Sequence, residues 1–265
     1  MSDLDYTVVV PSRKRAHNMP LILSLLPTAL ICVEDSERDE YAAVVPKKQL
    51  LLHPPVHGGF GGVVNWMMDT VQSEILIEVD DDFRRIIVKN GSMQRGHPDR
   101  KITDPREILQ ILENSARVCR DVGLTTFTYT RNNNAAMTHP EEKPFVPVAP
   151  VSNVFGVMGA ARRRYFDPRF MGRAAIDWTL TTLLYDRAIY CDQRFWWDCG
   201  EVFGGRGGNV GLVTPDRWRA STRALIEKWG PHLSFDGQRR NGKKGNKSVE
   251  SMSLRVTRRN PTAQK

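Results

Sequence analysis

The chain has 265 residues, of which 40% are hydrophobic and 26% charged, and its formal net charge is +8. That length suits one large α/β domain, the composition is that of an ordinary globular protein, and no apolar run reaches the ~20 residues a membrane-spanning helix needs. Cys32, Cys119, Cys191 and Cys199 form no Cys-x-x-Cys pair and have no histidine at zinc-finger spacing, so they read as reduced thiols, most of them buried.

Met1 to Tyr6 is acidic and lacks the basic start, apolar stretch and cleavage site of an export signal, so the expectation is residence in a cytoplasm. Tyr6 to Ser12 is a short β-branched run ending in turn residues, as expected of a buried parallel strand. Asn18 is placed to cap a helix with Pro20 in its first turn and Leu21 to Leu26 as its apolar face, ended by Pro27. A second strand, Ala29 to Val33, ends in Glu34-Asp35-Ser36. A helix over Glu37 to Val45 leads to a third strand, Gln49 to His53. After His57-Gly-Gly-Phe-Gly-Gly62, Val63 to Val71 has helical spacing, and a fourth strand, Glu74 to Val79, runs into Asp80-Asp81-Asp82. Regular alternation of strand and helix predicts a parallel sheet with right-handed crossovers, in which ligands bind at the carboxyl ends of the strands. Ser12-Arg13, Glu34-Asp35, His57 to Gly62 and Asp80 to Asp82 all fall at such ends and are expected to converge.

The second half is less regular. Asp104 and Pro105 open a helix running to Val122, with Asp104 as its cap, and Leu124 to Thr130 is a strand. Arg131 to Pro150, rich in Asn and Pro, is a loop suited to substrate contacts. Val151 to Met158 reads as a strand, Ala175 to Arg187 as a helix, Ala188 to Trp197 as a strand, and Pro215 to Trp229 as a helix capped by Thr214. No internal repeat is visible. The charge excess is local: from Gln238 to Lys265 there are nine lysines and arginines against the single Glu250, so the body is close to neutral. Residues 1–237 are accordingly expected to form the domain and 238–265 a basic tail. A second basic stretch spans Arg84 to Lys101. Such segments bind polyanions by releasing counterions, and they also serve as plain solubilising tails.

Three consecutive carboxylates after an apolar strand repel one another unless a cation meets them. Mg²⁺ and Mn²⁺ take hard oxygen ligands, commonly one or two carboxylates together with substrate phosphates. In strand geometry Asp80 and Asp82 point the same way and Asp81 points away. Gly59, Gly61 and Gly62 leave room for backbone amides to approach a pyrophosphate at a helix start, and Arg13, Lys14 and Arg15 are placed to pair with it. A strand ending in Asp-x-Asp, some 70 residues after a Val-Val-Val-Pro-Ser-Arg strand, resembles the nucleotide-sugar half of glycosyltransferases with the GT-A fold, an α/β architecture with a mostly parallel, Rossmann-like sheet flanked by helices.

That resemblance implies a donor site made of Pro11, Ser12, Arg13, Glu34 or Asp35, the segment Gly58 to Asn65 with Gly59, Gly62 and Asn65, and Asp80 and Asp81. It implies Mn²⁺ or Mg²⁺ on Asp80 and Asp82, with Asp198 or His232 completing the shell and Arg206 steadying the departing diphosphate. Asp177, opening a helix, takes the place of the general base of inverting members, although Ile176 stands where the family more often has Glu. Trp196 and Trp197 read first as core and second as a stacking platform. The size, the Pro-Ser-Arg start and the basic segments are also similar to phage DNA glycosyltransferases associated with TET-like oxygenases, which implies a nucleotide-sugar donor, a UDP-sugar foremost. The implied acceptor is 5-hydroxymethylpyrimidine in phage DNA within the host cytoplasm, held through Arg84, Arg85, Arg95, Arg100, Lys101, Arg239, Arg240, Lys243 and Lys244. A polysaccharide or protein acceptor, a nucleotidyltransferase and a non-catalytic DNA-binding protein are the alternatives, and the nucleotidyltransferase lacks its Gly-rich, Lys-containing loop after the first strand.

Overall fold

The aliphatic runs of the first 80 residues become strands because they are buried on both faces of a sheet, with helices covering each side. The computed structural model describes residues 4–88, 100–131, 143–199, 208, 211–230, 234–235 and 252–253. In chain order the elements are β1 (Tyr6–Pro11), α1 (Met19–Leu25), β2 (Leu30–Glu34), α2 (Arg38–Ala42), β3 (Leu50–His53), α3 (Phe60–Thr70) and β4 (Ile75–Val79). They continue with β5 (Arg85–Val88), β6 (Arg100–Ile102), α4 (Pro105–Asp121), β7 (Thr126–Thr130), β8 (Phe145–Val146), β9 (Val154–Met158), α5 (Ala174–Asp186), β10 (Tyr190–Asp198) and α6 (Pro215–Trp229).

These ten strands form one mixed sheet in the order β3-β2-β1-β4-β9-β7-β10-β5-β6, with β8 alongside β10, and Ser234–Phe235 pairs antiparallel with Met252–Ser253 apart from it. The first four are mutually parallel. From β4 outward, β9 runs antiparallel to both β4 and β7, and β10 runs parallel to β7 and antiparallel to β5. On one face Ile22, Leu26, Ile108 and Leu112 of the α1 and α4 region pack on Ile31, Ile77 and Phe127. On the other, Val64, Met67, Trp178 and Leu225 of α3, α5 and α6 pack on Cys32, Leu76 and Phe155.

Alternation along β4 sets the site. Ile75, Ile77 and Val79 face the first cluster and Leu76 the second, which puts Glu78 and then Asp80 on the α3 side. Each fully buried aliphatic side chain contributes about 1.5–3 kcal/mol, so a one-residue slip that exchanged these faces is strongly disfavoured.

Helix boundaries follow the capping chemistry where a cap exists. Asp104 Oδ1 accepts the Arg106 N–H at 2.7 Å and Thr214 Oγ1 that of Arg217 at 3.3 Å. Asn18 precedes α1 but does not cap it through its side chain; its Nδ2 donates to the Asp81 carbonyl instead, at 3.1 Å. The basic stretch after the acidic run holds two strands, β5 and β6, that charge alone conceals, because Ile86, Ile87 and Ile102 are buried between charged neighbours. Trp197 is core, with ring centroids 4.6 Å from Phe83 and 5.1 Å from Tyr129. All four cysteines are free thiols. Among the described residues no helix is long and apolar enough to cross a membrane.

Candidate active site

At the carboxyl ends of the four parallel strands lies a cavity of about 540 Å³. Pro11, Ser12, Arg13 and Arg15 line it from the end of β1, Glu34 from β2, His53 from β3, Gly58 and Gly59 from the start of α3, and Asp80, Asp81 and Asp82 from β4. These are the clusters the alternating pattern places at one edge. Glu34 and His53 are direct partners across the β2–β3 ladder and so stand side by side.

Asp81 holds this edge together. Its Oδ2 accepts from Ser12 Oγ at 2.7 Å and its Oδ1 from Arg15 Nη1 at 2.6 Å. Because the one Ser12 hydroxyl proton goes to Asp81, the 2.7 Å contact between Ser12 Oγ and Tyr41 Oη is donated by Tyr41, whose oxygen accepts the Arg15 N–H at 3.0 Å. Arg15 Nη1 also reaches Asp82 Oδ2 at 3.2 Å. Arg13 and Gly208 exchange bonds in both directions, Nη1 to the Gly208 carbonyl at 3.0 Å and the Gly208 N–H to the Arg13 carbonyl at 2.9 Å. The Asp81 carboxylate, expected on the donor, is thus spent on the β1 loop, although the residue lines the cavity.

Burial holds the Asp80 carboxyl well above the usual carboxylate range, reinforced by Asp82 and Asp81 and opposed by Arg15 and Arg131. Glu78, 1% exposed, has neither carboxylate oxygen hydrogen-bonded among the described residues, and burial followed by the three aspartates drives its pKa up as well. Oxygens of Asp80 and Asp82 and the Cys199 sulfur lie within 4.8 Å of one another. Two carboxylates beside a buried, uncompensated third fit a divalent cation that also takes phosphate oxygens.

Other expected site residues stand elsewhere. Asp177 is 2% exposed, accepts from Trp229 Nε1 at 2.6 Å and pairs with Lys228 Nζ at 2.8 Å, so it joins α5 to α6 and does not line the cavity. A carboxylate engaged in that way has no route to an acceptor hydroxyl, and its assignment as the base is withdrawn. Asp198 Oδ2 accepts Arg85 Nε at 2.8 Å and its carbonyl accepts the Arg84 N–H at 2.9 Å, which fastens β10 to β5; the side chain grouped with Asp80 and Asp82 is that of its neighbour Cys199. That ion pair also engages Arg85, while Arg84 is exposed.

Asn65 bonds the Phe166 backbone twice, accepting at 2.7 Å and donating at 2.8 Å, and does not reach the cavity. Gly62 is absent from the wall too: a Cβ there would sit 1.9 Å from the His57 carbonyl, so the glycine serves the tight entry into α3. Gly59 does line the cavity, at φ 59°, a conformation that favours glycine. Asp35 pairs with Arg38 at 2.6 Å on the surface, leaving Glu34 as the acid of that strand end. Arg95, Arg206, His232, Arg239, Arg240, Lys243 and Lys244 lie outside the described residues. Residues not anticipated in the wall are His53, Arg131 and Asn153 on the sheet side, and Met171, Gly172 and Trp218 opposite, with the Arg173 guanidinium 4.1 Å from the Trp218 ring. His53 stood at a strand end and Arg131 opens the loop expected to suit substrate contacts, so both were legible there; Asn153 depends on the pairing of β9, and Met171, Gly172 and Trp218 on how α5 and α6 return to the sheet.

Solved structures share this architecture. A structure of S. aureus TarS residues 1–349 in complex with UDP-GlcNAc aligns with a TM-score of 0.54 at 12% identity, over 85% of this chain and 66% of that one. Glucosyl-3-phosphoglycerate synthase from Mycobacterium tuberculosis in complex with Mg²⁺ and UDP aligns with a TM-score of 0.50 at 10% identity, over 86% and 80%. The chain thus spans just under two thirds of the TarS structure, and at these identities the likeness shows a GT-A fold. No curated protein matches the sequence. A family model described as TET-associated glycosyltransferase matches residues 6–208, and this chain belongs to that family.

Proposed function

We propose that the protein moves a sugar from a nucleotide-sugar, a UDP-sugar foremost, to the hydroxyl of a 5-hydroxymethylpyrimidine in DNA. The convergence of Ser12, Arg13, Glu34, Gly59 and the acidic run on one cavity is the observation that carries this reading. Glu34, at the end of β2, faces the base. The backbone at Gly59, at the start of α3, and the Arg13 guanidinium take the diphosphate, because unpaired amides at a helix start and a planar cation both suit an anion. Asp80 and Asp82 hold Mn²⁺ or Mg²⁺, which when bound neutralises charge on the diphosphate leaving group. Asp81, through Ser12 and Arg15, keeps the two ligating loops at a fixed spacing.

The DNA acceptor is supported by the family's description and by exposed basic residues beyond the acidic run, Arg84 and Lys101. The nine basic residues of 238–265 add phosphate contacts in this reading. A target base in duplex DNA must leave the stack to meet the sugar, at a cost of a few kcal/mol. The test is mass analysis of hydroxymethylated duplex DNA after incubation with UDP-sugars and Mn²⁺. A mass gain of one hexose or N-acetylhexosamine per modified base is expected. Donor hydrolysis without DNA modification, or transfer to a polysaccharide or protein instead, would move the acceptor to the alternative class, and absence of donor turnover would refute the reading.

A further inference from the structure

Cys199 immediately follows β10, where antiparallel pairing to β5 and the Arg85–Asp198 ion pair fix the strand end. Its sulfur lies within 4.8 Å of oxygens of both Asp80 and Asp82. Ligands at ~2.1 Å for oxygen and ~2.3 Å for sulfur stand at most ~4.4 Å apart around one ion, so the three groups need only draw together slightly to share it. A second observation lies on the same strand face. Glu78, on the Asp80 face of β4, is 1% exposed with both carboxylate oxygens unpartnered among the described residues. Buried acceptors without donors are costly, and a positive ion beside them offsets that cost.

We infer that Cys199 is a third protein ligand of the ion held by Asp80 and Asp82, and that its sulfur shifts the site's preference from Mg²⁺ toward Mn²⁺ and the later first-row ions. The inference rests on the metal reading above and names a residue that reading does not require. Coordination converts the thiol to a thiolate, with its proton released to solvent. Thiolates favour softer ions, whereas carboxylates and water suit Mg²⁺ equally well. The other three cysteines are buried and, among the described residues, belong to no such acidic group.

The experiment is a Co²⁺ titration of the full chain, alone and with UDP, reading the near-ultraviolet thiolate-to-cobalt charge-transfer band and the weaker visible bands. The wild type is expected to show the charge-transfer band. Cys199→Ser should lose it while keeping the visible bands, and its Mn²⁺-over-Mg²⁺ affinity ratio should fall by about tenfold or more, the lower end of what even outer-shell changes cause. A wild type with visible bands only, matched by Cys199→Ser, overturns the thiolate ligand and leaves the two-carboxylate site standing. A wild type that binds neither Co²⁺ nor Mn²⁺, with or without UDP, overturns the metal reading itself. Should Cys199→Ser fail to fold, the presence or absence of the band in the wild type still decides, and loss of that band in Asp80→Asn ties it to this site.

Discussion

The two halves of the sheet differ in how they assemble a site. In β1 to β4 every strand runs the same way, so each strand's last residues reach one edge, and a polar cluster after a strand is bound to meet the others there. From β5 onward neighbouring strands mostly oppose each other, so successive ends fall on alternate edges. Parallel order converts chain position into spatial position, while mixed order requires knowing which strands pair.

Five substitutions would break or sharpen that contrast. The largest effect is expected in the parallel half: Asp80→Ala or Asp82→Ala should lower turnover by at least about 10³-fold, roughly 4 kcal/mol of transition-state stabilisation, in a donor-hydrolysis assay with Mn²⁺. Asp177→Ala tests the mixed half. Removing the acceptor shared by Trp229 and Lys228 should destabilise the fold by about 2–4 kcal/mol in chemical denaturation, with turnover of the folded enzyme within about threefold of wild type. A loss comparable to that of Asp80→Ala would restore Asp177 as a base.

Asp80→Asn gives a smaller effect of opposite sign in the presence of chelator. Because burial and the neighbouring aspartates raise the folded-state pKa of Asp80, the folded protein binds a proton more tightly than the unfolded chain. Stability is therefore lost as pH rises from the ordinary carboxylate value of about 3.9 through the raised folded value. The variant should be the more stable protein at neutral pH, by about 2–4 °C in Tm per kcal/mol relieved, and should lose that advantage below about pH 4. The smallest change is expected for Asp198→Asn, which breaks a partly exposed pair with Arg85. A stability loss of about 1 kcal/mol or less is expected, with Mn²⁺ affinity unaltered in calorimetry, whereas a large loss of affinity would make Asp198 a ligand after all.

The same contrast governs what was legible in the sequence. Val8-Val9-Val10 and Ile75 to Val79 announce buried strands by composition, and Asp104 and Thr214 announce helix starts by capping chemistry, so most elements could be placed within a few residues. Asp80, Asp82, Ser12 and Glu34 were readable as a group because parallel order alone unites them. Asp177 misled because an acid in the first turn of a helix looks alike whether it faces a cavity or another helix, and only the docking of α6 decides. Asp198 and Cys199 differ by one place at a strand end, where successive side chains face opposite ways, and only the pairing of β10 with β5 turns Asp198 toward Arg85. Strands β5 and β6 were hidden under basic residues whose charge suggested a surface loop, and Gly62 and Asn65 carry packing and backbone contacts that resemble a phosphate loop in sequence.

The most direct measurement is calorimetric titration of UDP into the protein with Mn²⁺ and, separately, with chelator. Binding at least about tenfold tighter with Mn²⁺ in the wild type, and equal in both conditions in Asp80→Asn, is the predicted result. Equal binding of UDP by the wild type in both conditions would contradict a metal held between Asp80, Asp82 and a diphosphate.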